Sequence, residues 1–493
     1  MTARRRWAGL AVLSASVLLV VMDMTVLNVA LPAISAALRP DAIQLLWIVD
    51  VYALVLAGLL VAVSALGDRW GRKKMLLGGF ALFGLASAAV LWADSAETVI
   101  ALRALLGVGG AMIMPSTLSM IRNLFTDGRE RATALGVWSS MAAVGAALGP
   151  ILGGLLLERF SWHAAFLVNV PVMAVAIVAG VFLLPESRNP RPGRWDALGT
   201  VLSITGMAAL VYAIKHVGKN GLADPSALVA AAVAALALGW FVARCLRRPD
   251  PLLEIRLFRS GPFSSGVVAA LATSIAMAAM LLLLAQWMQL VQGYSPLETG
   301  VRLLPAALAA LVASPLAPAL AARIGARAVL AGGLAVAGLG FLVLFFAPLG
   351  YPSVAVALLL IGFGEGALAI ASAVIMSGTP SEKSGSAAAI EETSYELGGV
   401  LGVAVLGSVA AAVYRTGLDY GGPAAAVRES LGGALDVAKE LGASGAQLAE
   451  QAREAFADSL TVTCGAGALL MLAGAAAIWL LTPRGLDLSA THH

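Results

Sequence analysis

Residues 44–93 read QLLWIVDVYALVLAGLLVAVSALGDRWGRKKMLLGGFALFGLASAAVLWA. An apolar run over 44–66 meets the charged loop Gly67-Asp68-Arg69-Trp70-Gly71-Arg72-Lys73-Lys74, and a second, uncharged run follows over 75–93. At about 1.5 Å per residue, roughly 20 helical residues cross the hydrocarbon of a bilayer. Each run is therefore read as one membrane span. Asp50 is the single charge within the first.

The same alternation extends in both directions. Fourteen runs are long enough to cross: 8–37, 44–66, 75–93, 97–121, 132–157, 164–184, 197–218, 226–246, 262–291, 299–322, 327–347, 352–378, 386–413 and 459–482. The prediction is an all-α membrane protein with 14 transmembrane helices. Arg4-Arg5-Arg6 before the first run imitates a secretory leader, but the run is long and many follow, so a retained span is expected. The terminal His492-His493 pair reads as the remnant of an affinity tag.

Composition agrees. Of 493 residues, 60% are hydrophobic and 12% charged, and the mean hydropathy is +0.90. That leaves too little polar surface to cover a water-soluble globule of this size. The net charge of +4 does not point to nucleic acid, because the basic residues sit in short loops between apolar runs, where they set orientation. With the N-terminus in the cytoplasm, 22 Lys and Arg fall on the cytoplasmic side, 9 outside, and Arg103 within a span. Both termini are then expected in the cytoplasm of a bacterial cell, with the chain in its plasma (inner) membrane. Cys245 and Cys464 are far apart and read as small core residues. No metal-ligand spacing, Ser/His/Asp set or phosphate loop suggests an enzyme, and no cofactor is expected.

Internal repetition organises the chain. Leu66-Gly-Asp-Arg-Trp-Gly-Arg-Lys-Lys74 ends the second run and Leu320-Ala-Ala-Arg-Ile-Gly-Ala-Arg327 ends the tenth, with Arg and Gly at matched spacing. Removing the seventh and eighth runs leaves six plus six, the arrangement of rocking transporters. The expected division is 1–190 for a first six-helix bundle, 191–260 for two additional helices and linkers, and 261–493 for a second bundle. A Pro/Arg loop, Glu186 to Arg194, marks the first boundary. Residues 414–458 form a polar insert read as a helical hairpin, either a solvated spacer or a lid.

At these residues the sequence resembles the major facilitator superfamily over nearly its whole length. The 67–74 loop is similar to the family's signature between spans two and three, with Ser64 where the first glycine usually stands. Gly145-Ala-Ala-Leu-Gly149-Pro150-Ile-Leu-Gly153-Gly154 matches the fifth-span motif associated with antiporters. Arg103 with Gly107 resembles the fourth-span motif, although Leu106 replaces the usual glutamine. Asp23-Met-Thr25-Val-Leu-Asn28-Val-Ala-Leu-Pro32 is similar to the first-span signature of fourteen-helix drug:proton antiporters. Trp47-Ile-Val-Asp50 and Glu391-Glu392-Thr-Ser-Tyr395-Glu396 look closest to the QacA/SmvA type of quaternary-ammonium exporter. The resemblance implies the major facilitator fold, a monomer, a role for Arg103 in proton coupling, and a conformational latch at Asp68, Arg69, Gly71 and Arg72.

The same residues carry a physical reading. An ionised carboxylate in hydrocarbon costs about 3 kcal/mol or more, so such groups face a water-filled cavity. Asp23, Asp50, Glu365, Glu391, Glu392 and Glu396 lie within apolar runs, where Arg103 is the one clear intramembrane base. The cavity should attract cations. Burial favours the protonated acid and a bound cation favours the ionised one, so proton and cation compete for the same group. Glu392 and Glu396 share one helix face and are the expected exchange centre. Glu391, about 100° round, faces another helix or the inner vestibule. Asp23 and Asp50 meet substrate or proton from the outer half, or brace neighbouring helices. Glu365 handles substrate or proton, or serves helix packing. Arg103 couples to protons or makes a structural pair.

Gly145, Gly149, Gly153 and Gly154 are expected near one face, with Pro150 supplying a bend. Such a face suits close packing as well as antiport. Trp47, Tyr52, Trp138, Gln286, Trp287, Met288, Gln289 and Tyr395 are candidates for a cavity wall, where aromatic faces bind lipophilic cations and methionine adapts to varied shapes. The alternative for each is a core or lipid-facing position. Trp70 and Trp162 read as interfacial. The function expected is proton-driven export of lipophilic cations, including drugs, dyes and quaternary ammonium compounds, with membrane lipid as the surrounding partner. The alternatives are export of one endogenous metabolite or antibiotic, and a proton-independent facilitator.

Overall fold

A computed structural model describes residues 2–188, 196–220, 224–418, 427–483 and 486, except positions 39, 41, 378, 381, 382 and 429. Side chains at 28, 29, 32, 35, 36, 42, 43, 45, 46, 49, 50, 129, 132, 143, 147, 215, 218–220, 296, 367–369, 377, 384, 404 and 443 also lie outside the description. The side chain of Asp50, most of the 188–194 loop and His492-His493 therefore fall outside the described residues.

Among the described residues, fourteen helices are long and apolar enough to cross a membrane. In chain order they are α1 (Ala3–Leu38), α2 (Ala42–Trp70), α3 (Arg72–Ala89), α4 (Ala96–Leu124), α5 (Gly128–Arg159) and α6 (Asn169–Leu183). Next come α7 (Ala197–Asn220), α8 (Pro225–Arg247), α9 (Gly261–Gln286), α10 (Pro296–Ile324), α11 (Ala326–Phe346), α12 (Tyr351–Ser377) and α13 (Ser384–Gly417). A short α14 (Leu431–Glu440) precedes the last span, α15 (Ala446–Leu481). Local chemistry fixes several ends. Ser295 caps α10 in a reciprocal box with Glu298, and Pro296 opens that helix, where its missing N–H would have no partner. Ser95 caps α4 through the Thr98 amide.

The sequence repeat is a repeat of backbone conformation. Gly71, between α2 and α3, has φ 113°, and Gly325, between α10 and α11, has φ 89°. Both turns use a region that side-chain-bearing residues avoid. At Gly71 a Cβ would also displace the movable Glu186 carboxylate, 2.5–2.9 Å away.

Buried residues of α1–α6 form one core, and those of α9–α13 with α14 and α15 form another. Helix α7 packs on α8, α2 and α13, whereas α8 packs mainly on α7. The halves meet along α5 and α10. There the Gly136 backbone lies against the Ser314 carbonyl, 2.6 Å from where a Cβ would stand, and Gly300 lies against Ile151 at 2.7 Å. They also join on the face that carries the 67–74 loop, where Phe263, Ile375, Met376 and Ala388 belong to the first core.

The 414–458 insert differs from a free hairpin. Gly442, at φ 61°, turns the chain after α14. The second arm is not a separate helix, because α15 runs unbroken from Ala446 through the last span to Leu481. Residues 446–458 are helix formers without Gly or Pro, so nothing interrupts the helix before hydrocarbon begins. Leu431, Ala434 and Ala438 of α14 pack in the same core as Leu448, Ala452 and Ala455. Tyr414 Oη donates to the Val427 carbonyl at 3.1 Å.

Candidate functional site: two acidic clusters around Tyr52

The first cluster joins five helices of the first half. Asp23 of α1 is 2% exposed. Its Oδ2 accepts from Arg103 Nη1 of α4 at 2.9 Å, and its Oδ1 accepts from Asn169 Nδ2 of α6 at 2.7 Å. Asn169 also donates to Ser87 Oγ of α3 at 3.2 Å. Arg103 Nε donates to the Ile48 carbonyl of α2 at 3.3 Å, and its guanidinium stacks 4.6 Å from the centroid of Tyr52. A buried charge pair is tolerable when its remaining donors and acceptors find partners, and here most do. Sequence reading missed Asn169 and Ser87. A lone Asn within the apolar run FLVNVPV is the signal that points to the first, since an amide at membrane depth needs a partner.

The second cluster lies on α12 and α13 and contains no base among the described residues. Glu391 is fully buried, and one of its oxygens accepts from Ser372 Oγ of α12. Of the two expected placements, Glu391 faces the neighbouring helix. Glu392 is 1% exposed. Glu391, Glu392 and Glu365 each keep a buried Oε2 without a hydrogen-bond partner. Tyr395 senses Glu391, Glu392 and Glu365 together. Glu396 is half-buried one turn beyond Glu392. Ser372 was not expected from sequence; a hydroxyl among Ala and Ile gives only a weak signal.

Tyr52 connects the two clusters. It is 1% exposed, its hydroxyl has no hydrogen-bond partner, and it interacts electrostatically with Asp23, Arg103, Glu392 and Glu396. Acids of both halves thus lie within reach of one phenol ring. Gly107 and Gly110 of α4 make room for it, because a Cβ on either would meet Tyr52 atoms within 3 Å.

The face carrying the 67–74 loop is closed by cross-half contacts. Asp68 Oδ1 accepts from Arg72 at 2.7 and 2.9 Å, and the same carboxylate sits against Gly385 at the start of α13. Ser64 Oγ donates to the Gly385 carbonyl at 2.7 Å. Arg122 Nη1 donates to the Met376 carbonyl at 2.7 Å and Nη2 to the Thr379 carbonyl, both at the end of α12. Lys383 Nζ reaches Glu254 Oε2 at 2.6 Å. Arg72 N–H donates to the Ser187 carbonyl at 2.7 Å, so the loop docks on the segment after α6. Arg69 is exposed. Arg122 and Glu254 were not anticipated, because positive loop residues of a membrane protein all look alike in sequence.

Other expected wall residues lie elsewhere. Trp47 lines an apolar crevice of about 490 Å³ between α2 and α7, with Leu54, Gly58, Ile204 and Tyr212. This position arises because α7, an added helix, packs beside α2. Trp138 is buried, and its indole N–H donates to Thr117 Oγ1 at 3.1 Å, bracing α5 on α4. Trp287 and Met288 are buried core residues in a π-helical turn at the end of α9, with Gln286 half-buried and Gln289 exposed beside them. Of the two tryptophans read as interfacial, Trp162 is 5% exposed and stacked on His163, whereas Trp70 is 59% exposed. The glycines of α5 do not share one face. Gly145 and Gly149 pack against Leu18 and Met22 of α1, whereas Gly154 and Pro150 lie against Leu297 and Gly300 of α10. Gly149 and Gly154 are five residues apart, about 140° round the helix. Gly153 is buried.

The model of the Major Facilitator Superfamily matches residues 13–403. The chain belongs to that superfamily. Relatives of this member include the multidrug efflux pump LfrA of Mycolicibacterium smegmatis, 43% identical over 97% of the chain and 96% of the relative. The methyl viologen resistance protein SmvA of Salmonella typhimurium is 36% identical over 96% and 98%. The crystal structure of the human organic anion transporter MFSD10 shares the fold, with TM-score 0.61 and 15% identity over 96% of this chain and 100% of that one. This superfamily member is a multi-pass membrane transporter rather than an enzyme.

Proposed function

We propose that the protein exports lipophilic cations (drugs, dyes and quaternary ammonium compounds) from the cytoplasm across the bacterial inner membrane, in exchange for protons. The observation that carries this reading is the base-free cluster of Glu365, Glu391 and Glu392, each with a buried oxygen lacking a hydrogen-bond partner. Among the described residues, the buried arginine at mid-span, Arg103, is committed to Asp23. The second-half carboxyls therefore have two ways to escape the penalty of burial: a proton or a cation. Glu392 and Glu396 form the exchange centre, with Glu391 and Glu365 behind them. Tyr52 and Tyr395 offer π faces to the cation. Positive loops place both termini in the cytoplasm, and the Asp68 face, closed here, is the cytoplasmic gate. Rocking about the α5–α10 contact would open it. The relatives' names, multidrug efflux and methyl viologen resistance, point the same way, methyl viologen being an organic dication.

Transport into proteoliposomes with an imposed pH gradient tests the proposal. A monovalent cationic dye should accumulate only with the gradient, and equal accumulation without it would end the antiport reading. A second reading, export of one antibiotic, is favoured by a tetracenomycin C resistance and export protein of Streptomyces glaucescens, 34% identical over 82% of this chain and 76% of the relative. Competition among structurally unrelated cations separates the two.

A further inference from the structure

The added pair α7–α8 carries a charged feature that transport does not use. Asp196, just before α7, is 3% exposed. Its carboxylate accepts from Arg244 Nε and Nη2 at 2.9–3.0 Å and from the Gly199 amide at 3.0 Å, and lies 2.9 Å from Arg248 Nη1. Two guanidiniums on one carboxylate hold its pKa down at about 2, so the group is ionised in use. The arrangement still leaves positive charge over. Arg248 Nη1 is buried and makes no aligned hydrogen bond. Arg247 is exposed. Arg256 adds a further charge by donating to the Leu246 and Arg248 carbonyls at the end of α8. The facing acids are Asp196, Asp250 and Glu254, and Glu254 is shared with Lys383.

These arginines end an apolar stripe. Val229, Val233, Leu236 and Trp240 follow one another at three- and four-residue steps on one face of α8, exposed by 65%, 39%, 76% and 58%. Because α8 packs mainly on α7, that face looks away from the bundle. The stripe is about 17 Å long, close to the reach of one acyl chain. At its charged end Trp240, Ala243, Arg244, Arg247 and Arg248 line a crevice of about 150 Å³. Trp at the apolar–polar border and arginines beyond it reproduce the depth profile of a lipid.

We infer that the C-terminal end of α8 is a binding site for an anionic phospholipid, with the phosphate in the Arg244–Arg247–Arg248 crevice and an acyl chain along Val229–Trp240. Arg244 and Arg248, pre-aligned by Asp196, present donors to the phosphate oxygens, and Arg247 closes over it. Such a lipid would seat the added helix pair beside α2.

The test uses the full chain in phosphatidylcholine nanodiscs titrated with brominated phosphatidylglycerol. Trp240 fluorescence is isolated as the difference from Trp240→Phe. Quenching should saturate with brominated phosphatidylglycerol and stay weak with brominated phosphatidylcholine. Arg247→Gln/Arg248→Gln should weaken it ~30-fold, at about fivefold in affinity per surface arginine. The single variant Arg247→Gln should weaken it ~5-fold if the double variant misfolds. Equal quenching by both lipids, or an unchanged titration in Arg247→Gln, would overturn the proposal. Displacement of the brominated lipid by inorganic phosphate would make this a free-anion site and equally overturn it.

Discussion

The two halves of the molecule treat buried acid in opposite ways. In the first half Asp23 is held by Arg103 and Asn169, and the charge is cancelled where it lies. In the second, Glu391, Glu392 and Glu365 share one neighbourhood with no base among them, and each keeps an oxygen without a partner. A paired acid fixes helices; an unpaired one must take up and release something. On the proposed reading the Asp23–Arg103 pair is a brace, whereas Glu391 and Glu365 lie behind an exchange centre at Glu392 and Glu396.

The strongest way to break this contrast is to neutralise one acid of the unpaired kind. Glu392→Gln should reduce gradient-driven dye transport in proteoliposomes to background while leaving thermal unfolding in detergent unchanged or raised, because no partner is orphaned. Glu396→Gln should likewise reduce gradient-driven transport to background. Unchanged transport in both single variants would remove the exchange centre from this helix face. The paired acid should respond the other way. Arg103→Met leaves Asp23 charged, buried and uncompensated, which costs about 3–5 kcal/mol and should lower the unfolding temperature sharply. Adding Asp23→Asn should restore most of that loss, since removing both members of a buried pair is far milder than removing one. Additive losses would show that the two residues do not act as a pair.

The spans were legible because hydrocarbon enforces a length, and α7 and α8 stand out by the same rule. The Gly71 and Gly325 turns were legible because matched Arg and Gly spacing reports a matched backbone. The partners of the acids were much less so. Asn169 and Ser372 touch Asp23 and Glu391 across 146 and 19 residues of chain, and helix rotation about its own axis decides such contacts. One sequence fixes that rotation poorly when lipid and protein are both apolar, since no hydrophobic difference marks the inward face. For this reason Trp47 and Trp138, alike in composition, end in a lateral crevice and a helix brace.

A smaller effect tests how far Glu391 belongs to the unpaired group. Its single donor is Ser372 Oγ. Ser372→Ala should cost about 1 kcal/mol, the worth of one hydrogen bond, and should alter the pH at which transport is half-maximal. A loss as large as that of Arg103→Met would move Glu391 to the bracing side of the contrast.

Outside the spans, Asp196 supplies the mildest comparison, an acid paired as Asp23 is but within reach of water. Its pKa is lowered from 3.8 to about 2, first by the Arg244 hydrogen bonds. A depressed folded value means the unfolded chain binds the proton more readily. The pairing therefore stabilises fully above about pH 4, and that contribution fades as pH falls through about 2. Hydrogen-exchange protection at the Arg244–Arg248 amides, relative to the intrinsic rate at each pH, should fall over that interval in the native chain. In Asp196→Asn it should be lower at neutral pH and lose the acid-dependent step. A step of equal size in the variant would assign it to some other carboxylate. The comparison would then rest on the buried pair alone.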